Sequence, residues 1–285
     1  MNITDIQIRD PFVVLKNGRY YLFGSTDKDI WKAKGTGFDV YTSSGTLTEF
    51  DGPFPAFRPE PDFWSETNFW APEVYKYRDS YYMFATFKPK AGRRGTAVLK
   101  SENLTGPFKP WSDGPVTPAA WECLDGTLFI DSTGNPFMVF CHEWQQVQDG
   151  EICAMPLSGD LRTAAGEPVL LFKASEAAWT RELKGRAPRT FVTDGPFLWK
   201  TNSGILLLLW SSFGDEGYCI GVARSETATI TGPWIQSPEP LFAKDGGHGM
   251  LFRSKEGKLY LTIHRPNNTP AERALFIELQ EDDLY

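Results

Sequence analysis

Apolar residues in this chain come in short runs broken by turn residues, and no long stretch keeps a 3.6-residue period. "DGTLFIDSTGNPFMVF" (125–140) is representative. A β-branched and aromatic run, a turn at Ser132-Thr133-Gly134-Asn135 and a second apolar run predict a β-hairpin. The same arrangement recurs as "DPFVVLKNGRYYLF" from Asp10, "APEVYKYRDSYYMF" from Ala71, "DGPFLWKTNSGILLLL" from Asp194 and "HGMLFRSKEGKLYLT" from His248. Each copy opens with a small or polar dipeptide, and its second strand is the more hydrophobic. A further phrase, "SENLTGPF" (101–108), "SETATITGPW" (225–234) and more weakly "SSGTLTEF" (43–50), predicts an outer strand with a Gly-Pro exit turn. Only 174–184 reads as a helical turn or two.

Five units of about 55 residues, each of about four strands, predict an all-β protein: one five-bladed β-propeller domain over 1–285. A single unit cannot bury its own face, whereas five stacked around an axis can. A Greek-key sandwich does not call for five in-phase hairpins. In a propeller the innermost strand of each blade lines the axis, so equivalent positions lie at one level. Asp10, Ala71, Asp125, Asp194 and His248 are therefore expected to converge at one mouth. Turn chemistry explains any one Asp before Gly or Pro, but not three in register with a histidine.

Composition adds to this. The chain has 10 Trp and 21 Phe, more than a core of aliphatic strands requires, and flat rings stack on sugars. Phe69, Trp70, Trp121 and Trp144 flank inner strands and are candidates for substrate binding, as is Arg265 at the end of the last hairpin. The net charge of −7, with no basic stripe, argues against nucleic acid. The longest apolar run, Ile205–Trp210, is too short to span a membrane. The N-terminus lacks the pattern of a signal peptide, and Cys123, Cys141, Cys153 and Cys219 show no metal-like spacing, so a cytoplasmic chain with reduced cysteines is expected.

Carboxylates sharing a small site repel one another, which pushes their pKa values apart. Such a set suits glycoside hydrolysis: one acid protonates the leaving oxygen while another activates water or attacks the sugar. The same ring is also suited to a divalent cation such as calcium, with His248 as a ligand directly or through water.

"IRDPFVV", "FWAPEVYKYRDSYYMF", "LDGTLFID", "TDGPFLWK" and "GGHGMLF" resemble the blade signatures of glycoside hydrolase family 43, from Ile8 to about Arg265. The resemblance implies a five-bladed propeller that cleaves arabinose- and xylose-containing glycans with inversion. It implies Asp10 as general base, Asp125 as the carboxylate that tunes the acid's pKa and orients it, and His248 beside a central metal, often calcium. At the acid the chain departs from the family, carrying Asp194 where Glu is usual. Asp is shorter by one methylene, about 1.5 Å. Glu73, Glu143 and Glu182 are alternative acids. The expectation is an exo-acting enzyme that removes terminal α-L-arabinofuranose or β-D-xylose from oligosaccharides, with segments 52–68 and 174–192 walling a pocket. An endo-arabinanase and a non-catalytic glycan-binding propeller are the alternatives.

Overall fold

Each of the five hairpins forms the two inner strands of one antiparallel sheet in the structure, a computed structural model that describes residues 1–285. Blade 1 runs outward from the axis as β1 (Arg9–Lys16), β2 (Arg19–Ser25), β3 (Phe38–Ser43) and β4 (Asp51–Phe57). Blade 2 contains β5 (Ser65–Tyr77), β6 (Ser80–Pro89), β7 (Gly95–Ser101) and β8 (Lys109–Pro110). Blade 3 contains β9 (Cys123–Ile130), β10 (Pro136–His142), β11 (Glu151–Pro156) and β12 (Val169–Lys173). Blade 4 contains β13 (Asp194–Lys200), β14 (Leu206–Gly214), β15 (Gly217–Ser225) and β16 (Trp234–Gln236). Blade 5 has three strands, β17 (Gly247–Arg253), β18 (Leu259–Arg265) and β19 (Arg273–Leu279).

The all-β five-bladed propeller read from the sequence is the observed fold. The Gly-Pro phrase marks the turn between third and fourth strands, since Ser101 and Ser225 end β7 and β15. Helix is confined to single turns. In the 174–184 segment only Ala174–Glu176 forms one, a 3-10 turn. No helix is long and apolar enough to cross a membrane. All four cysteines are buried and unpaired.

Every inner strand carries a β-bulge, near the start of β1, β9, β13 and β17 and midway along β5. In β1, Arg9 pairs with Ser25 and Phe12 with Phe23, so Asp10 and Pro11 together face Gly24. The same two-against-one count places the pairs Ala71-Pro72, Asp125-Gly126, Gly195-Pro196 and His248-Gly249 in the other bulges. The first residue of each pair has left-handed backbone: φ is 52° at Asp10, 47° at Ala71, 57° at Asp125, 51° at Gly195 and 44° at His248. The second residue is Pro or Gly because its N–H drops out of the ladder or its Cβ would clash. A Cβ on Gly249 would lie 1.8 Å from the Thr262 carbonyl oxygen.

The register corrects one expectation. Asp194 pairs with Ser211 as Arg9 pairs with Ser25, so it sits one residue before the ring position, which Gly195 occupies.

The bulge N–H groups join the blades. Ala71 N–H donates to Ser25 Oγ (2.8 Å), Asp125 N–H to Thr86 Oγ1 (2.8 Å), His248 N–H to Ser211 Oγ (2.8 Å) and Asp10 N–H to His264 Nδ1 (3.2 Å). Each acceptor stands on the second strand of the preceding blade, opposite the residue just before the bulge. Blade 5 is closed onto blade 1 by the last of these and by a buried ion pair, Arg9 Nη1 to Glu272 Oε1, at 2.7 Å.

Apolar packing between blades completes the fold. Phe38, Phe57, Phe63, Phe69 and Phe87 meet edge-on and tilted between blades 1 and 2. Trp179 and Trp210 pack between blades 3 and 4, with centroids 4.6 Å apart.

Ala71 is the one non-glycine ring residue with no polar side chain, so it isolates the cost of the left-handed bulge. A non-glycine residue there costs roughly 1–2 kcal/mol, against about 0.5–1 kcal/mol for the extra freedom glycine loses on folding. Ala71→Gly is therefore expected to leave the thermal midpoint unchanged or raise it. Gly249→Ala should lower it by several degrees. Thermal denaturation of the two variants checks both.

Candidate active site

The bulges bring Asp10, Asp125 and His248 together on the axis. His248 Nδ1 lies 3.1 Å from Asp10 Oδ1 and 3.7 Å from Asp125 Oδ2. All three are less than a tenth exposed. Asp194 joins the same cavity from one residue earlier on β13 and is less deeply buried.

These carboxylates occupy different electrostatic environments. Burial works to raise the pKa of Asp10, but His248, Arg9 and a 2.6 Å hydrogen bond from the Ser25 hydroxyl outweigh it, and Asp10 is held below the ordinary value. His264, buried and beside Arg9, falls to about 3 and is neutral. Because its Nδ1 accepts the Asp10 N–H, its proton sits on Nε2 and faces Asn267 Oδ1 at 3.2 Å.

Burial and the nearby charges of Asp194 and Asp10 push Asp125 well above the carboxylate range, although its Oδ2 accepts the Gly195 N–H at 3.0 Å. Asp194 is raised to about 7, chiefly by burial and further by Glu143 and Asp10. The Tyr218 hydroxyl, donating to Asp194 Oδ2 at 3.0 Å, and Arg9 oppose that rise. At neutral pH the set thus combines an ionised Asp10 with an Asp125–Asp194 pair that holds a proton.

A cavity of about 940 Å³ opens over this set, lined by residues of all five blades. Its wall carries two cation–aromatic stacks. Arg9 lies over Trp31 (5.3 Å) and Arg94 over Trp70 (4.6 Å), with the two indoles edge to face at 5.3 Å. Arg94 also pairs with Glu143 Oε2 at 2.9 Å and donates to Asn68 Oδ1 at 3.2 Å. Glu143 lies in the cavity at the start of the four-residue helix α1 (Trp144–Val147).

Of the aromatic candidates, Trp70 and Trp144 line the cavity. Phe69 does not: it is 2% exposed, and its ring is enclosed by the inter-blade phenylalanines. Trp121 stacks flat on His142 at 4.1 Å, outside the cavity lining. Arg265 is exposed and donates to the Lys244 carbonyl at 2.7 Å instead of reaching the site. Among the alternative acids, Glu182 is exposed and does not line the cavity. Glu73 lies two residues beyond Ala71, below the ring, where Tyr75 Oη donates to its Oε2 and lies as close to Thr127 Oγ1, both at 2.6 Å.

Sequence reasoning missed Arg9, Trp31, Arg94 and Tyr218, all of which line the cavity. Arg9 adjoins the ring residue, a position that Asp194 shares in blade 4. Trp31 and Arg94 lie on connections outside the repeat and carried no signal of their own.

The side chains do not fit a directly coordinated calcium. His248 Nδ1 faces Asp10 and Asp125, Asp10 Oδ2 is engaged by Ser25, and Asp125 Oδ2 by Gly195. No three His, Cys, Asp or Glu side chains are placed to share an ion, whereas calcium takes 6–8 oxygens. A cation on the axis would have to be held largely through water.

Glu73 provides a test of these electrostatics. Burial, opposed by its hydrogen bonds and aided by the charge of Asp10, raises it from 4.5 to about 8. The folded state thus keeps a proton that the unfolded chain loses near 4.5, and its contribution to stability is lost as pH rises from about 4.5 to 8. Glu73→Gln keeps the shape and does not titrate. The melting temperature of the variant relative to wild type should therefore rise across that window. Melting curves at pH 5, 7 and 9 check it, and a constant difference would contradict the assignment.

Comparison with known proteins agrees with this architecture. The sequence pattern described as "Glycosyl hydrolases family 43" matches residues 3–281. A solved structure from Bacteroides thetaiotaomicron, titled an endo-arabinase, is 39% identical, with 98% of this chain and 96% of that chain covered and a TM-score of 0.90. A structure titled a thermostable family-43 glycoside hydrolase is 26% identical over 97% of this chain and 91% of its own, with a TM-score of 0.81. Among characterised proteins, "Extracellular endo-alpha-(1->5)-L-arabinanase 2" of Bacillus subtilis is 23% identical over 90% of this chain and 56% of its own length. "Xylosidase/arabinosidase 43A" of Humicola insolens is 25% identical over 50% of this chain and 46% of its own. The chain spans about half the length of these two relatives. With one family pattern running almost from end to end and a close structural relative covering nearly all of both chains, the chain belongs to glycosyl hydrolases family 43.

Proposed function

We propose that this glycosidase cleaves α-L-arabinofuranosyl linkages in oligosaccharides with inversion of the anomeric centre. The observation that carries the reading is the opposed protonation of two carboxylates in one cavity, Asp10 held low and Asp194 raised to about 7. Asp10, ionised, takes a proton from a water as that water attacks the anomeric carbon. Asp194, protonated, gives its proton to the departing glycosidic oxygen. Asp125 helps keep a proton on the pair, chiefly through burial and then through like-charge repulsion with Asp194. Inversion calls for roughly 6.5–9.5 Å between base and acid to admit the water.

The arabinose assignment takes support from relatives whose names specify arabinan or arabinoside. β-D-Xylosides are the second substrate class, supported by the xylosidase/arabinosidase. Internal cleavage is the mode supported by the relatives whose names specify an endo-arabinase and an endo-arabinanase. The exo reading rested on two long inserts: 52–57 of the first lies in β4, the outer strand of blade 1, while Leu183 and Val192 of the second line the cavity. Trp31, 53% exposed at the rim, supplies a platform for a unit beyond the cleaved bond.

Asp194→Ala should slow natural oligosaccharides about 10²-fold more than aryl glycosides with a good leaving group, because only a poor leaving group needs the proton. Asp10→Ala should slow both alike. If Glu143→Gln shows the leaving-group dependence and Asp194→Ala does not, the acid is misassigned. Activity on natural substrates should also fall as pH rises through about 7, where Asp194 loses its proton. A pH–rate profile that stays flat from 6 to 9 contradicts that role. Product sizes from arabino-oligosaccharides separate internal from terminal cleavage, and a panel of aryl glycosides identifies the sugar.

A further inference from the structure

Three arginines stack on tryptophans of the cavity wall, and two of them are already paired. Arg9 over Trp31 binds Glu272, and Arg94 over Trp70 binds Glu143. The third, Arg186, lies over Trp144 at 5.2 Å. It is exposed, pairs with no carboxylate, and its guanidinium donates no hydrogen bond within the protein. It stands in the connection from β12 to β13, where 183–190 closes on itself. Leu183 N–H donates to the Thr190 carbonyl at 2.7 Å, and Thr190 Oγ1 to the Ala187 carbonyl at 2.8 Å. Phe191 N–H then ties the segment to the Gln148 carbonyl, beside α1, at 3.0 Å. Leu183 and Val192 of the same connection line the cavity, as Trp144 does.

We propose that Arg186 and Trp144 form a subsite for a uronic acid unit on the leaving-group side of the cleaved arabinosyl bond. The inference rests on the glycosidase reading for its place in the substrate. Asp194 sets the side: the connection that carries Arg186 runs into β13, whose first residue is Asp194, and the acid faces the departing oxygen. Charge sets the ligand class. A guanidinium presents a planar fork of donors that matches a carboxylate, and the stack on Trp144 holds that fork in place before a ligand arrives. Lys184 and Arg189 of the same segment are exposed and unpaired too, against one acid, Glu182. On the wall of blades 1 and 2, Lys28 and Lys88 line the cavity without an ion pair. The acid beside them, Asp29, accepts the N–H groups of Trp31 and Lys32. These cations come from separate segments, so a chain of net charge −7 gathers a positive rim without a basic stripe in its sequence. At the centre the sign reverses, because ionised Asp10 repels a carboxylate and favours a neutral furanose. The two signs together set the register of an acidic glycan, uronate at the rim and arabinosyl unit over the carboxylates.

The test separates charge from shape. Trigalacturonate and its methyl ester share one sugar skeleton, and only the first is charged. By titration calorimetry trigalacturonate should bind the wild-type protein about tenfold more tightly than the ester, the lower end of what a hydrogen bond to a charged group is worth. Arg186→Gln should bring the two within about threefold, the small residue left to unpaired surface charges. Lys200→Gln removes an exposed cation at the far end of β13 and should keep the preference. Equal binding of acid and ester by the wild type, or an equal loss in the two variants, overturns the proposal.

The consequence for turnover is read on an arabino-oligosaccharide linked to galacturonic acid, as the free acid and as its methyl ester. The ratio of the two kcat/KM values should favour the acid about tenfold in the wild type and fall toward one in Arg186→Gln, with the change mainly in KM. A ratio that survives Arg186→Gln contradicts the subsite. A protein that hydrolyses neither compound yet keeps an Arg186-dependent preference for trigalacturonate removes the glycosidase reading and leaves the subsite. One that hydrolyses arabino-oligosaccharides yet binds acid and ester alike removes the subsite and leaves the glycosidase.

Discussion

One backbone constraint organises this molecule: the bulge of each inner strand holds a residue in left-handed backbone whose N–H is handed to the neighbouring blade. Non-glycine residues rarely accept that conformation, and they persist where surrounding structure over-determines it. Here the bulge, the axis packing and the inter-blade hydrogen bond all require it. The same feature both closes the ring of blades and turns Asp10, Asp125 and His248 toward one another. Strength at the joints and convergence at the site therefore have a single origin. Where the ring residue carries no chemistry, at Ala71, the backbone is the same.

Burial at the bulges then fixes the electrostatics. Three carboxylates a short distance apart cannot all ionise in a dry environment. Asp10 keeps its charge: Arg9, the His248 ring and the Ser25 hydroxyl surround it. Asp125 and Asp194 are left to repel each other and to retain a proton. Arg9 is itself held by Glu272 and Asn267 of blade 5, so the closure of the propeller also bears on the charge state of Asp10.

The fold was legible because its repeat is written in chemistry that cannot be exchanged freely: a small or polar opening residue, then Pro or Gly, then a hairpin. The level of Asp194 was misread because Asp194-Gly195 looks like Asp125-Gly126. The prolines carried the correct register, since Pro196 aligns with Pro11 and Pro72 and so puts Gly195 at the ring. Roles for single aromatics were not legible. Phe69 and Trp70 are neighbours in sequence, yet one belongs to a phenylalanine cluster between blades and the other to the cavity wall. Which of the two faces the substrate depends on contacts with Phe38, Phe57 and Arg94 that no local pattern encodes. The Arg9–Trp31 and Arg94–Trp70 stacks were hidden for the same reason: each pairs residues from two separate segments.

The central claim is that Asp10 works through a water, not by attacking the sugar, while a second, protonated carboxylate faces it across the cavity. The most direct measurement is proton NMR of the first sugar released from an α-L-arabinofuranoside, recorded before mutarotation. The account predicts that the β-anomer appears first and the α-anomer grows in later. The α-anomer as the first product would mean retention, with Asp10 bonded to the sugar, and would contradict the account.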